Sequence, residues 1–115
     1  MNSTERKGYW GEFVAACLLI LKGYRILARR YKTICGEIDI VAKKNNIVAF
    51  IEVKSRKSLD KCFNAIADKQ LQRIQRASAI FLSRHKSLGL NVSISYDVIF
   101  VVDWKLPVHI ANISI

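Results

Sequence analysis

Hydrophobic and polar positions divide the chain into segments with two different periods. Apolar residues recur at helical spacing in 3–22 and 63–85, and they follow strand-like patterns in 24–31, 37–42, 47–54, 92–102 and 106–115. The order is therefore helix, three strands, helix, and one or two strands. This order predicts an α/β fold in which a mixed central sheet is flanked by helices. We expect residues 1–115 to form a single domain, because this length supports one hydrophobic core but not two.

The two predicted helices differ in how their apolar residues are distributed. In the second helix these residues form one stripe: Phe63, Ala67, Leu71, Ile74, Ala77 and Phe81. In the first helix they extend around much of the surface: Phe13, Val14, Ala16, Cys17, Leu18, Leu19, Ile20 and Leu21. A helix that is apolar on most sides is typically buried on most sides. We therefore expect the first helix to be buried on more than one side, with Cys17 in core packing.

Two strand-like segments flank the polar residues 43–46 and predict a β-hairpin. Asn45-Asn46 suits its turn, because asparagine tolerates a positive φ better than most residues. Strict alternation would place Glu37 and Asp39 on one face, and the isoleucines on either side of Asp39 on the other. The same rule places Glu52 and Lys54 together on one face of the second strand. With a conventional register, Asp39 and Glu52 approach one another near the middle of the sheet.

The chemistry of this hairpin depends on Asp39, Glu52 and Lys54, because a buried carboxylate is costly unless it is paired or binds a cation. Two adjacent carboxylates repel one another unless a cation lies between them. Mg²⁺ or Mn²⁺ suits such oxygen ligands, and Lys54 would then orient or deprotonate an attacking water or stabilise phosphate charge. The alternative is a solvated face on which ion pairs join Asp39 to Lys54 and Glu37 to Arg56. The stretch before Glu52 favours the metal site, since it is too apolar on both faces for a solvated edge strand.

A further carboxylate, Glu12, lies inside the first apolar helix. Its neighbours on the helical wheel are small or apolar, namely Gly8, Ala15, Ala16 and Leu19, so this face can pack closely against the sheet. We expect Glu12 to reach the hairpin site, because a lone carboxylate on this face needs a partner. The alternative is an acid that interacts with the helix dipole, although position 12 is deep in the helix for that role.

The charge balance predicts a polyanionic partner. Nineteen Lys and Arg residues against nine Asp and Glu residues leave a formal net charge of +10. Nucleic acid is the first candidate, and an anionic membrane surface is a weaker one, because the basic residues are spread along the chain. The candidate phosphate contacts are Arg29, Arg30, Lys32, Arg56, Lys57, Lys69, Arg73 and Arg76. The last three share a narrow arc of the second helix, and that arc is alternatively an ordinary solvated face.

Other polar and aromatic residues give weaker signals. Three aromatic residues are candidates for stacking on unpaired bases: Tyr9, Trp10 and Tyr31. Trp10 stands beside a glycine, which is more typical of a packing residue. His85 and His109 are isolated in the sequence, and we expect them to be inert. The sequence does not decide whether Asp97 faces the site or the edge of the sheet.

Cysteine usage and the length of the apolar runs bear on the cellular location. The three cysteines are widely spaced and odd in number, which indicates neither a zinc site nor a disulfide framework. The longest apolar run, 13–21, is about half the length of a membrane-spanning helix. We therefore expect a cytoplasmic protein without a membrane partner.

Several short motifs resemble a known family. They are Gly8…Gly11-Glu12, Gly23-Tyr24…Leu27-Ala28-Arg29, Gly36-Glu37-Ile38-Asp39, Phe50-Ile51-Glu52-Val53-Lys54-Ser55-Arg56, Lys69-Gln70 and Tyr96-Asp97-Val98. They resemble the UPF0102, or YraN-like, group of small bacterial proteins, and the likeness extends to about residue 103. The Gly-Glu-Ile-Asp and Glu-Val-Lys-x-Arg blocks are its more specific part. The group is similar in turn to the PD-(D/E)xK nuclease superfamily, which includes restriction-endonuclease-like enzymes and archaeal Holliday-junction resolvases.

The resemblance implies a restriction-endonuclease-like αβββαβ core, which agrees with the order of the predicted elements. By position it implies a set of site residues: Asp39 and Glu52 as metal ligands, Lys54 as the catalytic lysine, and Glu12 as the helix acid that assists the metal. Lys69 or Gln70 would lie on the helix that flanks the active centre, where Gln70, like Lys69, is a candidate contact to nucleic acid. Resolvase-like chemistry would also suit a homodimer, because two strands need two sites.

Three functions are consistent with these features. The leading hypothesis is a Mg²⁺- or Mn²⁺-dependent phosphodiesterase that cleaves DNA, including branched or repair intermediates. The second is a non-catalytic module of the same fold that binds nucleic acid through its basic surface. The third is a structural protein with a buried ion-pair network. The intact set of two carboxylates and a lysine favours the phosphodiesterase over the binding module, since a site that no longer catalyses a reaction does not need all three residues.

Overall fold

The computed structural model describes residues 3–56, 68–89, 91–103 and 105–113. Helices and strands follow one another in the order α1 (Ser3–Leu21), β1 (Arg25–Thr33), β2 (Gly36–Lys44), β3 (Ile47–Arg56), α2 (Asp68–Arg84), a short 3₁₀ helix (Lys86–Leu88), β4 (Ser93–Val102) and β5 (Val108–Ile110). The predicted α/β class and the order of elements are confirmed. The predicted start of the second helix near Phe63 lies outside the described residues.

The described strands form one five-stranded sheet in the order β1-β2-β3-β4-β5. β1, β2 and β3 pair in an antiparallel manner, β3 and β4 are parallel, and β5 returns antiparallel to β4. The sheet is therefore mixed, as predicted. A parallel pair requires a crossover connection, and α2 lies within the connection from β3 to β4.

The two helices pack on opposite faces of this sheet. α1 covers a cluster that includes Leu19, Ile40 and Ile51. α2 covers a second cluster that includes Phe50 and Phe81. Neighbouring residues of a strand point to opposite faces, so Phe50 and Ile51 belong to different clusters. Both faces of β3 are therefore buried along its centre, which agrees with its apolar sequence.

α1 buries one side of its surface and not several. The buried side consists of Glu12, Ala15, Ala16 and Leu19, the small-residue face predicted from the helical wheel. Cys17 is exposed, so its prediction as a core residue is wrong. Trp10 is also 64% exposed and not a packing residue. The prediction of burial on several sides was wrong because apolar residues surround the helix, whereas contact with a sheet covers only one side of it.

α2 presents the predicted apolar stripe to the sheet. Four of its residues are buried there: Leu71, Ile74, Ala77 and Phe81. Phe63 and Ala67, also predicted for this stripe, lie outside the described residues. His85 follows the helix and stacks on Phe81 with ring centroids 3.9 Å apart, so it is a packing residue and not isolated. Among the described residues, no helix is long and apolar enough to cross a bilayer.

The hairpin between β2 and β3 has the predicted turn. Lys44 pairs with Ile47, so two residues connect the strands, and Asn45 is left-handed with φ of 54°. The side chain of Asn46 donates to the carbonyl of Asn91 at 2.6 Å, which ties the turn to the start of β4. At the other end, β3 continues to Arg56, beyond the loop predicted from residue 55.

A buried side-chain network around Asp97 holds the last strand. His109 Nε2 donates to Asp97 Oδ2 at 2.7 Å, while the Ser95 hydroxyl and the Asn112 N–H donate to Oδ1. Lys22 Nζ donates to His109 Nδ1 at 2.6 Å, which places the imidazole proton on Nε2. Burial raises the pKa of Asp97, but these hydrogen bonds outweigh burial and lower it overall. His109 is therefore not isolated. Asp97 faces the edge of the sheet, where its hydrogen bonds fix β5 and the residues that follow it.

Candidate active site

The candidate site lies where β2 and β3 separate. Their ladder ends at the pair Ile40–Ile51. Beyond this pair, β2 continues along β1 to Gly36, and β3 continues along β4 to Arg56. The two strands therefore diverge into a fork. Asp39 and Glu52 adjoin this last pair on β2 and β3, so they are the first residues inside the fork.

Asp39 occupies the point at which β2 loses its regular alternation. Ile38 packs with the α2 cluster and Ile40 with the α1 cluster, so the prediction that both share one face is wrong. Arg30, which stands opposite Asp39 on β1, has a left-handed φ of 51°. The carboxylate Oδ2 of Asp39 accepts the N–H of Val53 at 2.8 Å, just after the ladder ends. The irregular backbone thus directs the carboxylate into the fork.

Glu52 is held on the side of the sheet that faces α2. Lys54 Nζ lies 3.3 Å from Glu52 Oε1, and Gln70 Nε2 donates to the same oxygen at 2.9 Å. Burial raises the pKa of Glu52 despite the opposing effects of Lys54 and Gln70. Glu52 and Lys54 each expose 15% of their side chains. They therefore share one face of β3, as alternation predicts, and the amine stands beside the carboxylate.

The concentration of acidic groups affects Asp39 most clearly. Burial, together with repulsion from Glu52, Glu12 and Glu37, raises the pKa of Asp39 to about 7. The hydrogen bond from the N–H of Val53 acts in the opposite direction but is outweighed. Such an arrangement favours a cation, because positive charge would stabilise the ionised carboxylates. Asp39 is therefore the centre of the site in electrostatic terms as well as by position.

Glu12 reaches the fork from α1, but it is paired with an arginine. Arg30 Nε donates to Glu12 Oε2 at 2.6 Å, and Arg29 Nη2 lies 4.0 Å from the same oxygen. The guanidinium of Arg30 also lies over the ring of Tyr9, 3.7 Å from its centroid. These two arginines, predicted as phosphate contacts, thus turn toward Glu12. A cation that binds Glu12 would compete with Arg30.

Three carboxylates at the fork suit a hard divalent cation. One oxygen each from Glu12, Glu37 and Asp39 lie within 4.8 Å of one another. Carboxylate oxygens are preferred protein ligands of Mg²⁺, Ca²⁺ and Mn²⁺, and Mg²⁺ commonly uses one or two of them together with water and phosphate oxygens. The sequence paired Asp39 with Glu52 as ligands, and the geometry adds Glu37 as a further candidate. The available signal was that Glu37 lies two residues before Asp39 on the same strand.

A cavity of about 260 Å³ opens at the fork. Its lining consists of Gly36, Glu37, Asp39, Glu52, Gln70, Arg73 and Ile74. Among the predicted nucleic-acid contacts, Gln70 and Arg73 thus line the cavity, while Arg76 is exposed one turn further along α2. Arg56 is half-buried at the end of β3. Lys57 and the side chain of Lys69 lie outside the described residues.

The aromatic candidates for base stacking have different surroundings. Tyr31 packs edge-on against Phe81, with centroids 5.0 Å apart, and is half-buried. Tyr9 lies beneath Arg30. Trp10 is exposed and stacks with Phe13, with centroids 5.8 Å apart. None of the three lines the cavity at the fork.

The alternative of a solvated face with cross-strand ion pairs does not describe the fork. Lys54 pairs with Glu52 on its own strand and not with Asp39. Within the part of the chain that the structure describes, Glu37 and Arg56 form no ion pair with one another. Glu12 is buried, and Asp39 and Glu52 are half-buried, which a solvated face would not require, whereas Glu37 is exposed.

Sequence comparison extends the likeness seen in the motifs of the fork. The profile of "Uncharacterised protein family UPF0102" matches residues 11–101, which include the buried side of α1 and the whole fork. The chain belongs to the UPF0102 family. UPF0102 proteins of Mesorhizobium japonicum, a Chelativorans species and Paramagnetospirillum magneticum are 46%, 44% and 42% identical to it. These alignments cover 93%, 94% and 96% of this UPF0102 chain, and 85%, 86% and 88% of the relatives.

Proposed function

We propose that this UPF0102 protein is a Mg²⁺- or Mn²⁺-dependent phosphodiesterase that cleaves DNA, with branched or repair intermediates among its substrates. The observation that carries the proposal is the fork, at whose closed end Asp39 and Glu52 both lie next to the last strand pair, with Lys54 Nζ 3.3 Å from Glu52 Oε1. The net charge of +10 supports a polyanionic substrate. The resemblance of these motifs to PD-(D/E)xK nucleases supports the same chemistry.

The residues of the fork would have separate tasks in hydrolysis. Asp39 would hold the cation, together with Glu52 or with Glu12 and Glu37. When bound, the cation supplies Lewis-acid activation of water and neutralises charge on the phosphate. Lys54 would orient the water and stabilise the negative charge that develops on the phosphate oxygens. The water would lose a proton as its oxygen bonds to phosphorus, the bond to the leaving oxygen would break, and that oxygen would take up a proton, so that one proton is released and one is consumed.

Cleavage of plasmid DNA and of a four-way junction, with Mg²⁺ or Mn²⁺, tests this proposal. Asp39→Asn and Lys54→Gln should each lower the rate by about 10²-fold or more, because each removes a charge on which the transition state depends. Asp103→Asn and Lys105→Gln are matched controls at exposed positions after β4. Wild-type protein that fails to cleave either DNA, or rates that are equal in all variants, would refute the enzymatic function.

A second candidate function, binding of nucleic acid without catalysis, is favoured by one observation. Arg30 already pairs with Glu12, and Lys54 already pairs with Glu52, so the chain itself offsets part of the acidic charge. Calorimetric titration with MnCl₂ distinguishes the two functions. If the protein is the proposed enzyme, the wild type should bind the cation and Asp39→Asn should abolish that binding. A binding module predicts no uptake of the cation, together with salt-sensitive binding of DNA.

A further inference from the structure

The side of α1 that points away from the sheet is apolar and exposed. Trp10 is 64% exposed, Phe13 53%, Ile20 59% and Leu21 86%. With Tyr9 and the exposed Cys17, these residues form what we call the outward face of α1: Tyr9, Trp10, Phe13, Cys17, Ile20 and Leu21. The sequence predicts burial of this helix on more than one side, and contact with the sheet accounts for only one of them.

The outward face is too large to be an ordinary scatter of apolar residues. Trp10 and Phe13 already stack on one another, and the other members continue the stripe toward the end of α1. Large side chains expose about 150–250 Å² each when free, so the outward face presents roughly 500 Å² of apolar surface. A patch of this size matches the largest that a typical monomeric protein exposes, and such patches are often interaction sites. We infer that two copies of this chain pair through the outward faces of their α1 helices.

A second copy fits this surface better than an anionic partner does. From Tyr9 to Leu21 the chain contains no Lys or Arg, and its one acid, Glu12, lies on the opposite, buried side. Arg30 lies over Tyr9 but already pairs with Glu12, so this stretch of α1 offers little free positive charge to attract nucleic acid or an anionic membrane. Two chains of charge +10 repel one another, and that repulsion is smallest where both present an uncharged surface.

The spacing along the outward face is also self-complementary. Trp10, Phe13, Cys17 and Ile20 are separated by three, four and three residues, which is the repeat by which two helices interlock along a common seam. Two outward faces would bury roughly 1,000 Å² in all, close to the lower size of specific interfaces. Because Glu12 lies on the opposite side of the same helix, each copy would keep its fork open to substrate. The inference stands whether or not the fork is catalytic.

The mass of the purified full chain in solution tests the pairing, in reducing buffer without metal or nucleic acid. Light scattering after gel filtration should give twice the 13.1 kDa chain mass for wild type. Phe13→Glu and Ile20→Glu place like charges in the seam and should give the single-chain mass, with cooperative melting retained. Ile34→Glu is the matched control, because Ile34 is 98% exposed in the turn after β1, and it should leave the pair intact.

Crosslinking locates the interface independently. In a Cys35→Ser, Cys62→Ser background, a short bis-maleimide should join two chains through Cys17, and adding Cys17→Ser should abolish the crosslinked band. A wild type of single-chain mass that also fails to crosslink would overturn the inference. A Phe13→Glu variant that keeps twice the chain mass would also overturn the inference. So would a wild type of single-chain mass whose affinity for DNA is lowered by Phe13→Glu, because the outward face would then bind DNA. These results would leave the cleavage test untouched.

Discussion

Asp39 should make the metal-free protein sensitive to pH. Its pKa is raised from 3.8 to about 7 by burial and by Glu52, so the folded chain keeps a proton that the unfolded chain loses between these values. The free energy of unfolding must therefore fall as the pH rises through this range, and the stabilisation is fully present only below about pH 4. Because Asp39 and Glu52 interact, the measured change of stability with pH reports the titration of both carboxyl groups together and not of Asp39 alone.

Asp39→Asn should remove most of this loss of stability. In EDTA at about pH 8, we expect the variant to melt about 5 °C or more above the wild type, with the difference disappearing at about pH 4. Added Mn²⁺ should raise the melting temperature of the wild type and not that of the variant. Thermal melts across this pH range measure both effects, with Asp103→Asn as the control. Parallel curves for wild type and Asp39→Asn would contradict the effect.

At the scale of single residues, sequence reasoning found the charged groups but not their surroundings. Asp39, Glu52 and Lys54 were predictable, because charges beside a buried strand are costly and alternation tells which of them share a face. The pairing of Arg30 with Glu12 was not predictable. A left-handed backbone costs a non-glycine residue about 1–2 kcal/mol, so it occurs only where the surrounding structure imposes it.

At the scale of elements, α1 reaches the fork because Gly11 allows it to lie against β3. A Cβ at Gly11 would collide with Ser55 Oγ and would lie 3.7 Å from Val53 Cγ1. Glu12 is the next residue, so the position of its carboxylate depends on this close approach. The absence of a Cβ at position 11 is thus part of what brings α1 to the acids of β2.

Gly11→Ala should show energetic coupling to Ser55. The substitution gains helix propensity but forces the serine hydroxyl to move, whereas Ser55→Ala removes the obstacle. We therefore expect Gly11→Ala to be more favourable by about 1 kcal/mol in the Ser55→Ala background than in wild type. Urea unfolding of the four proteins measures this coupling. Equal effects of Gly11→Ala in both backgrounds would mean that the helix and the strand do not touch at this position.

The two helices also show when an apolar pattern predicts burial. In α2 the stripe of Leu71, Ile74 and Phe81 is bordered by polar residues, and the buried side was predicted correctly. α1 is apolar almost all round, so periodicity could not choose the side that meets the sheet. Small residues and Glu12 mark that side, because they permit close approach and need a partner. The open fork between β2 and β3 was not visible in the strand patterns, since it depends on where pairing stops.

At the scale of the whole molecule, the net charge should make DNA affinity sensitive to salt. Arg73 lines the cavity and Arg76 follows on the same helix. Replacing both with Gln should reduce the slope of log Kd against log salt by about 2, with a similar loss for every DNA sequence. Fluorescence anisotropy over a range of salt concentrations measures this slope.

A double variant with the same loss of charge provides the control for this measurement. Lys44→Gln with Lys86→Gln removes two exposed charges near the turn between β2 and β3, at the opposite end of the hairpin from the fork, and should change the slope much less. If both double variants change the slope equally, α2 does not contact the phosphates. The total charge was readable from the sequence, but its distribution around the fork was not, because that depends on where the sheet places each strand.

β1 is an end strand of the sheet, and basic side chains line it: Arg25, Arg29, Arg30 and Lys32. The outer N–H and C=O groups of an end strand can template the addition of another chain. Positive charge and the irregular backbone at Arg30 discourage such templating between identical molecules. Variants that neutralise these arginines will lose that protection and should be more prone to aggregate. Their solubility therefore has to be measured before weakened DNA binding is assigned to lost phosphate contacts.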